Sequence, residues 1–305
     1  MNVSKTAKTR ASAVIVRQGG MTLDTGDIAH QYLSAPLRPP YGGGIAEVPL
    51  ATPLTGSGCV LPPFVDIEGD GLGAVVMPVW NADTATVTGF RIVDPGVGYT
   101  WAKAVLYKTA DTKVATIDCV INATVNADKT GSFTKCGTSA LEVECTNSWG
   151  GATIVKGGTL KAMCDWAIPD NSPVVLAGGD IDFNNKTGNV SKVTYGPGGG
   201  RLLNADNVAL PQNFDMVISV EDILAGKPVV LQGDQNLNGK TVRVTGDFGA
   251  LDPEVCRRYT VVRSTGRLLG TPNVVSEELP QNWKFKMTAT ELKLVHSYGI
   301  MLIVR

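Results

Sequence analysis

The sequence predicts an all-β chain whose larger part is a solenoid of stacked coils. A Gly-Gly-x-apolar corner recurs at Gly157-Gly158-Thr159-Leu160, Gly178-Gly179-Asp180-Ile181 and Gly199-Gly200-Arg201-Leu202, with leading glycines 21 residues apart each time. Between corners the chain alternates: Thr153 and Val155 face one way and Ile154 the other, the pattern of a half-buried strand. Composition agrees, because 35 of 305 residues are glycine and only 6% are aromatic, which suits short strands joined by tight turns. A compact sandwich has no reason to turn at a fixed interval. A stack of coils has one, since each coil turns above the coil beneath it.

Residues 1–118 are expected to form a separate β-rich module. Two approximate copies of one unit carry this reading. The first runs through Pro62-Pro63-Phe64-Val65-Asp66-Ile67 and Gly69-Asp70-Gly71-Leu72-Gly73-Ala74. The second runs through Thr88-Gly89-Phe90-Arg91-Ile92-Val93 and Asp94-Pro95-Gly96-Val97-Gly98-Tyr99-Thr100. Each joins an alternating strand to a Gly/Pro/Asp turn. Residues 119–305 are expected to hold the stacked coils. There, Pro173-Val174-Val175-Leu176 and Pro228-Val229-Val230-Leu231 are each followed by a glycine corner and a second short strand ending in Asn. The corner positions are Gly157, Gly158, Gly178, Gly179, Gly199 and Gly200, where glycine tolerates the positive φ of a sharp turn. Helix signals are confined to Ser219–Leu224 and to the turn that opens at Asp252-Pro253-Glu254.

Charge argues against a nucleic-acid partner: 27 Lys+Arg face 28 Asp+Glu, and no basic cluster marks a phosphate-binding face. No apolar run has the length of a transmembrane helix. The stretch Met1–Arg17 carries Lys5, Lys8 and Arg10 but no apolar core after them, so no secretory signal is read there. The chain is therefore expected to be a piece of a longer protein.

Six cysteines occur, none in a CxxC pair, and His30 and His296 lie far apart, so no metal or cofactor is expected. Two disulfide pairings are candidates. Cys145 and Cys164 are separated by about one coil, and Cys119 and Cys136 flank an expected hairpin. No catalytic residue is assigned. Asp180 with Asp182, and Asp66 with Glu68 and Asp70, are the carboxylates that most resemble an acid/base or calcium set. Both groups read as solvated strand and turn residues. Gly196-Pro197-Gly198-Gly199-Gly200 lacks the Lys-Ser/Thr of a phosphate loop and reads as a turn. Trp80, Trp101, Trp149 and Trp166 are candidates for stacking on sugars.

The run Asn147-Ser148-Trp149-Gly150-Gly151-Ala152-Thr153-Ile154-Val155-Lys156-Gly157-Gly158-Thr159-Leu160 resembles the autotransporter-associated β-strand repeat, also called the passenger-associated transport repeat. The similarity extends from about Gly137 to Asn204. The turn Asp94–Thr100 is similar to a Pro-Gly-x-Gly-Tyr-Thr turn of bacterial and phage surface repeats. The segment Tyr259–Leu294, with Gly266, Gly270 and Trp283, is similar to the closing segment of such passengers. The resemblance implies a right-handed, single-stranded parallel β-helix displayed extracellularly or at the outer membrane of a bacterium. It implies a structural or adhesive role without catalysis, with host-surface or matrix glycans or proteins as partners. The terminal Met301–Arg305 lacks the aromatic common in outer-membrane barrels, so export is expected to depend on other machinery. The alternative is a carbohydrate-binding or polysaccharide-degrading β-helix of the lyase, hydrolase or tailspike type.

Overall fold

A computed structural model of the chain describes residues 13–28, 31–54, 59–276 and 279–297. His30 and the terminal Met301–Arg305 lie outside the described residues. The fold is all-β with parallel sheets. No helix among the described residues is long and apolar enough to cross a membrane.

Contacts divide the chain into two units, one of residues up to Arg38 together with Thr130 onward, the other Pro39–Lys129. This differs from the expected division at 118/119. Strands Met21–Asp24 and Gln31–Leu33 belong to the parallel sheets of the later residues: Phe133 pairs with Met21, and Leu141 with Gln31. Gly19-Gly20 precedes the first of these strands, but the turn between the two carries a single glycine, Gly26, outside the 21-residue interval, so the spacing signal missed them. The 39–129 unit is thus an insertion between two successive strands of each sheet.

In the first unit, the larger parallel sheet runs through Met21–Asp24, Phe133–Cys136, Thr153–Val155, Ser172–Leu176, Gly188–Tyr195, Phe214–Ser219, Thr241–Thr245 and Asn273–Ser276. The smaller runs through Gln31–Leu33, Ala140–Val143, Thr159–Ala162, Asp180–Asp182 and Leu202–Leu203. The register keeps the interval read from the glycines. Thr153 pairs with Val174, Thr159 with Asp180, and Ile181 with Leu202, each 21 residues on. Because side chains alternate along a strand, stacked strands turn the same side chains inward. Leu141, Leu160 and Ile181 form one buried column, and Val155 and Leu176 lie in another. Further along the interval lengthens: Met216 pairs with Val242, which pairs with Val274. The expected helix forms at Val220–Leu224, capped by the Ser219 hydroxyl, which accepts from Asp222 N at 3.0 Å. The expected turn at Asp252 is a turn, with Cys256 N donating to Asp252 O at 3.0 Å. The closing segment ends the pairing with antiparallel strands: Arg258–Ser264 pairs with Glu291–His296, which pairs with Trp283–Met287. Such strands cover an edge that a parallel stack would leave open.

In the 39–129 unit the strands pair in antiparallel fashion, and the two sequence copies meet in that pairing only through their turns, Leu72 with Val97 and Ala74 with Pro95. Phe64–Gly69 pairs with Ala102–Thr109, and Leu72–Asn81 with Thr86–Val97. Tyr99 is buried where the copies meet. A Cβ on Gly69, Gly71 or Gly96 would stand 2.8, 2.3 or 2.5 Å from its ring, so these glycines form the slot that holds it. Asp70 fastens the same turn: its carboxylate accepts from Thr100 N at 2.9 Å, from Trp101 N at 3.2 Å and from the Thr100 hydroxyl. Those bonds hold the Asp70 carboxyl below its ordinary range, the Thr100 hydroxyl contributing most.

Candidate functional site

The six corner glycines stack in the first unit, for two different reasons. Gly158, Gly178, Gly199 and Gly200 have positive φ (+59°, +111°, +63° and +156°). Gly157 and Gly179 do not; they are small because successive corners touch there. A Cβ on Gly179 would lie 2.8 Å from Gly157 backbone atoms, and one on Gly157 would lie 3.0 Å from Gly137 O.

Beside the corners sits Lys135, a residue that the sequence reading missed. It takes an inward position in Phe133–Cys136 and is fully buried. Its ammonium donates to Gly157 O at 2.7 Å, Gly137 O at 2.8 Å, and Cys136 O and Thr25 Oγ1 at 3.1 Å. It joins the carbonyls of one glycine corner to those of the next. Burial pushes its pKa down to about 8, while Cys136 and Asp24 act in the opposite direction. The signal in the sequence was a lysine where the alternation after Phe133 requires an apolar residue.

At the opposite end of the smaller sheet's strands, buried Asn147 ties together the segments that follow three adjacent strands. Its Oδ1 accepts from Leu37 N at 2.7 Å, and its Nδ2 donates to Cys145 O and Ala167 O, both at 2.8 Å. Trp149, two residues on, is buried against Phe133 with ring centroids 4.9 Å apart, so it is not a sugar platform. Its indole N–H has no hydrogen-bond partner among the described residues. Asn147→Leu removes the donors and acceptor at all three segments and leaves buried backbone groups unpaired. It is expected to cost about 2–4 kcal/mol, measured by urea unfolding against wild type.

The outer face of the smaller sheet is polar. One row runs Tyr32, Glu142, Lys161, Asp182 in register, one strand spacing apart. Among the described residues, Glu142, Glu144, Asp180 and Asp182 on this face are each bound to a residue on or beside an adjacent strand. Glu142 pairs with Lys161 at 3.6 Å. Asp180 takes Arg201 Nη2 at 2.6 Å, Nε at 3.1 Å and its backbone N at 2.8 Å. Asp182 accepts from Asn204 Nδ2 at 2.7 Å, and Glu144 from the Ser34 hydroxyl at 2.6 Å. Asp180 and Asp182 are thus brought to one face, as expected, and each has a structural partner. Asp66 accepts from the backbone N of Ile67, and Asp70 holds the Tyr99 turn. Among the described residues, no group of three or more His, Cys, Asp or Glu is arranged to hold a metal.

Trp166 is partly exposed at φ +57°, and Trp101 is half exposed in the 39–129 unit. Pro228, Val255, Arg258 and Tyr259 help line a cavity of about 390 Å³ in the first unit. No disulfide joins any of the six cysteines, all of which lie among the described residues. Cys119 belongs to the 39–129 unit, and Cys136 ends a strand on which it pairs with Asp24. Cys145 and Cys164 follow adjacent strands of the smaller sheet.

No family model matches the chain, and no curated protein matches it.

Proposed function

We propose that the chain is a structural or adhesive segment of a bacterial surface protein, acting without catalysis outside the cytoplasm. In this reading the first unit is a right-handed, single-stranded parallel β-helix of the autotransporter-associated repeat type, part of a longer surface protein. The inserted 39–129 unit is an appendage carried by that scaffold. The supporting observation is how the polar side chains of the two parallel sheets and their corners are used. Asn147 and Lys135 inside, and Glu142, Glu144, Asp180 and Asp182 outside, all bind a neighbouring coil. Each of these carboxylates has its strongest partner within the fold, as a load-carrying ladder requires. A general base instead needs a lone pair poised toward substrate.

The residues that carry the family resemblance, Asn147, Trp149, Gly157 and Gly158, are the ones whose contacts join coils. That supports reading the repeat as a stacking device. A second reading, glycan binding, is favoured by Tyr32. It is 49% exposed at one end of the row through Glu142, Lys161 and Asp182. A half-exposed ring beside evenly spaced polar groups is a usable sugar platform.

One experiment addresses both readings. The purified chain is incubated with a panel of matrix and cell-wall polysaccharides, with binding and new reducing ends or unsaturated products measured together. Saturable binding that weakens in Tyr32→Ala, without chain cleavage, is expected if the face is adhesive. Release of new ends would overturn the non-catalytic reading. Absence of any binding would remove the adhesive role of this face.

A further inference from the structure

The geometry points to Cys145 and Cys164 as a modification site, a thiol pair that closes to a cystine between adjacent coils of the folded chain. Their alignment is bracketed on both sides by hydrogen bonds of one register. Before them, Val143 pairs with Ala162, and Met163 N donates to Val143 O at 2.9 Å. After them, the Thr146 hydroxyl donates to Asp165 O, and Asn147 N to Trp166 O, each at 3.1 Å. Every one of these pairs other than Met163–Val143 differs by 19 residues in sequence, as Cys145 and Cys164 do. The two Cα atoms are therefore about one strand spacing, ~4.8 Å, apart, inside the range that a disulfide bridges.

Direction agrees with position. Val143 and Ala162 are buried inward-facing residues, and alternation turns Cys145 and Cys164 the same way. Both pack partly buried against the same inner core. Closeness shows electrostatically as well. Burial, followed by the neighbouring Cys164, pushes the Cys145 thiol up to about 11. The Cys164 thiol is also raised by burial; the Thr146 hydroxyl favours its thiolate, Asp165 opposes it, and Lys186 favours it more weakly.

The chemistry needs a two-electron oxidant, here a small-molecule disulfide such as oxidised glutathione. The Cys164 thiol loses its proton to solvent, and its thiolate attacks one sulfur of the oxidant. One glutathione thiolate leaves, and a mixed disulfide remains. Cys145 then gives up its proton and attacks the Cys164 sulfur. The Sγ–Sγ bond forms and the second glutathione thiolate leaves. The cystine clips the coil that starts at Asn147, adding a covalent tie where reduced protein has only hydrogen bonds. This inference concerns the thiols alone and does not depend on the proposed surface role.

The test uses the full-length chain carrying Cys136→Ser, because trypsin otherwise leaves Cys136 and Cys145 on one peptide between Lys135 and Lys156. The folded protein is incubated with oxidised glutathione, alkylated, digested without reductant and mapped by mass spectrometry. The expected result is a linked pair of peptides carrying Cys145 and Cys164, formed faster in the folded than in the urea-unfolded chain. A rise in unfolding midpoint that reductant reverses should accompany it. Cys164→Ser in the same background should lose the linked pair and the redox-dependent rise. Recovery of Cys145 and Cys164 from the folded protein only as single alkylated or glutathione-capped residues would overturn the proposal. So would linkage no faster in the folded than in the unfolded chain.

Discussion

Gly158→Val is expected to prevent the first unit from folding at physiological temperature. Two costs coincide there. The backbone sits at φ +59°, a region that β-branched residues essentially never occupy; strain of this kind costs about 1–3 kcal/mol. A Cβ would also stand 2.4 Å from Ser139 O, 2.6 Å from Thr138 O and 2.6 Å from Lys135 Nζ. The two carbonyls are backbone, so relief requires the turn to open and the Lys135 cage to lose its shape. The sum is expected to exceed about 4 kcal/mol, a large part of the total stability of an ordinary domain. Gly239→Ala separates the two causes. Gly239 has φ +72° but open space where its Cβ would be, so the alanine should cost no more than the backbone strain, about 1 kcal/mol. Unfolding midpoints by circular dichroism measure both variants. If Gly158→Val unfolded at the wild-type midpoint, stacked corners would not be what holds the parallel strands together.

The corners were legible because their cause is local. A sharp turn and a close approach both demand glycine, and a stack repeats that demand at a fixed interval, so the 21-residue spacing survives in sequence. The Asp94–Thr100 turn was legible for the same reason. Its companion role was not: the slot for Tyr99 is made by Gly69 and Gly71 of the preceding copy as well as by Gly96, and only pairing brings them together. The first strand of each parallel sheet was hidden by distance. Tyr32 meets Glu142, and Asn147 meets Leu37, across an insertion of about ninety residues, so no local pattern links them. Asp180 and Asp182, read as solvated, are in fact tied to residues beside the adjacent strand, because alternation gives the facing direction of Asp180 but not the identity of its neighbour, Arg201.

Lys135→Met is expected to change the pH dependence of stability as well as its size. Methionine fills much of the same space but removes the donor that Gly137 O and Gly157 O share. Leaving buried carbonyls unpaired costs about 1–3 kcal/mol each. Against that, the native ammonium is held in a buried site that depresses its pKa from 10.5 to about 8. At about 1.4 kcal/mol per pKa unit, the shift penalises the charged lysine in the folded chain by roughly 3 kcal/mol relative to the unfolded chain. The two effects oppose, so the variant should be only modestly less stable at pH 7, by about 1–2 kcal/mol. The sign of the pH effect follows from proton counting. Between about 8 and 10.5 the unfolded chain keeps the proton on this lysine and the folded chain has released it. Stability therefore rises with pH wherever the unfolded state binds more protons, and the contribution is complete only above the unfolded pKa. Wild type should accordingly gain on Lys135→Met by up to about 3 kcal/mol as pH is raised through that window. Urea unfolding of both proteins at intervals from pH 7 to beyond 10.5 reads the difference directly. A gap that stays constant would mean that the carbonyl cage fully replaces the lysine's hydration, and that the charge is no burden to the fold.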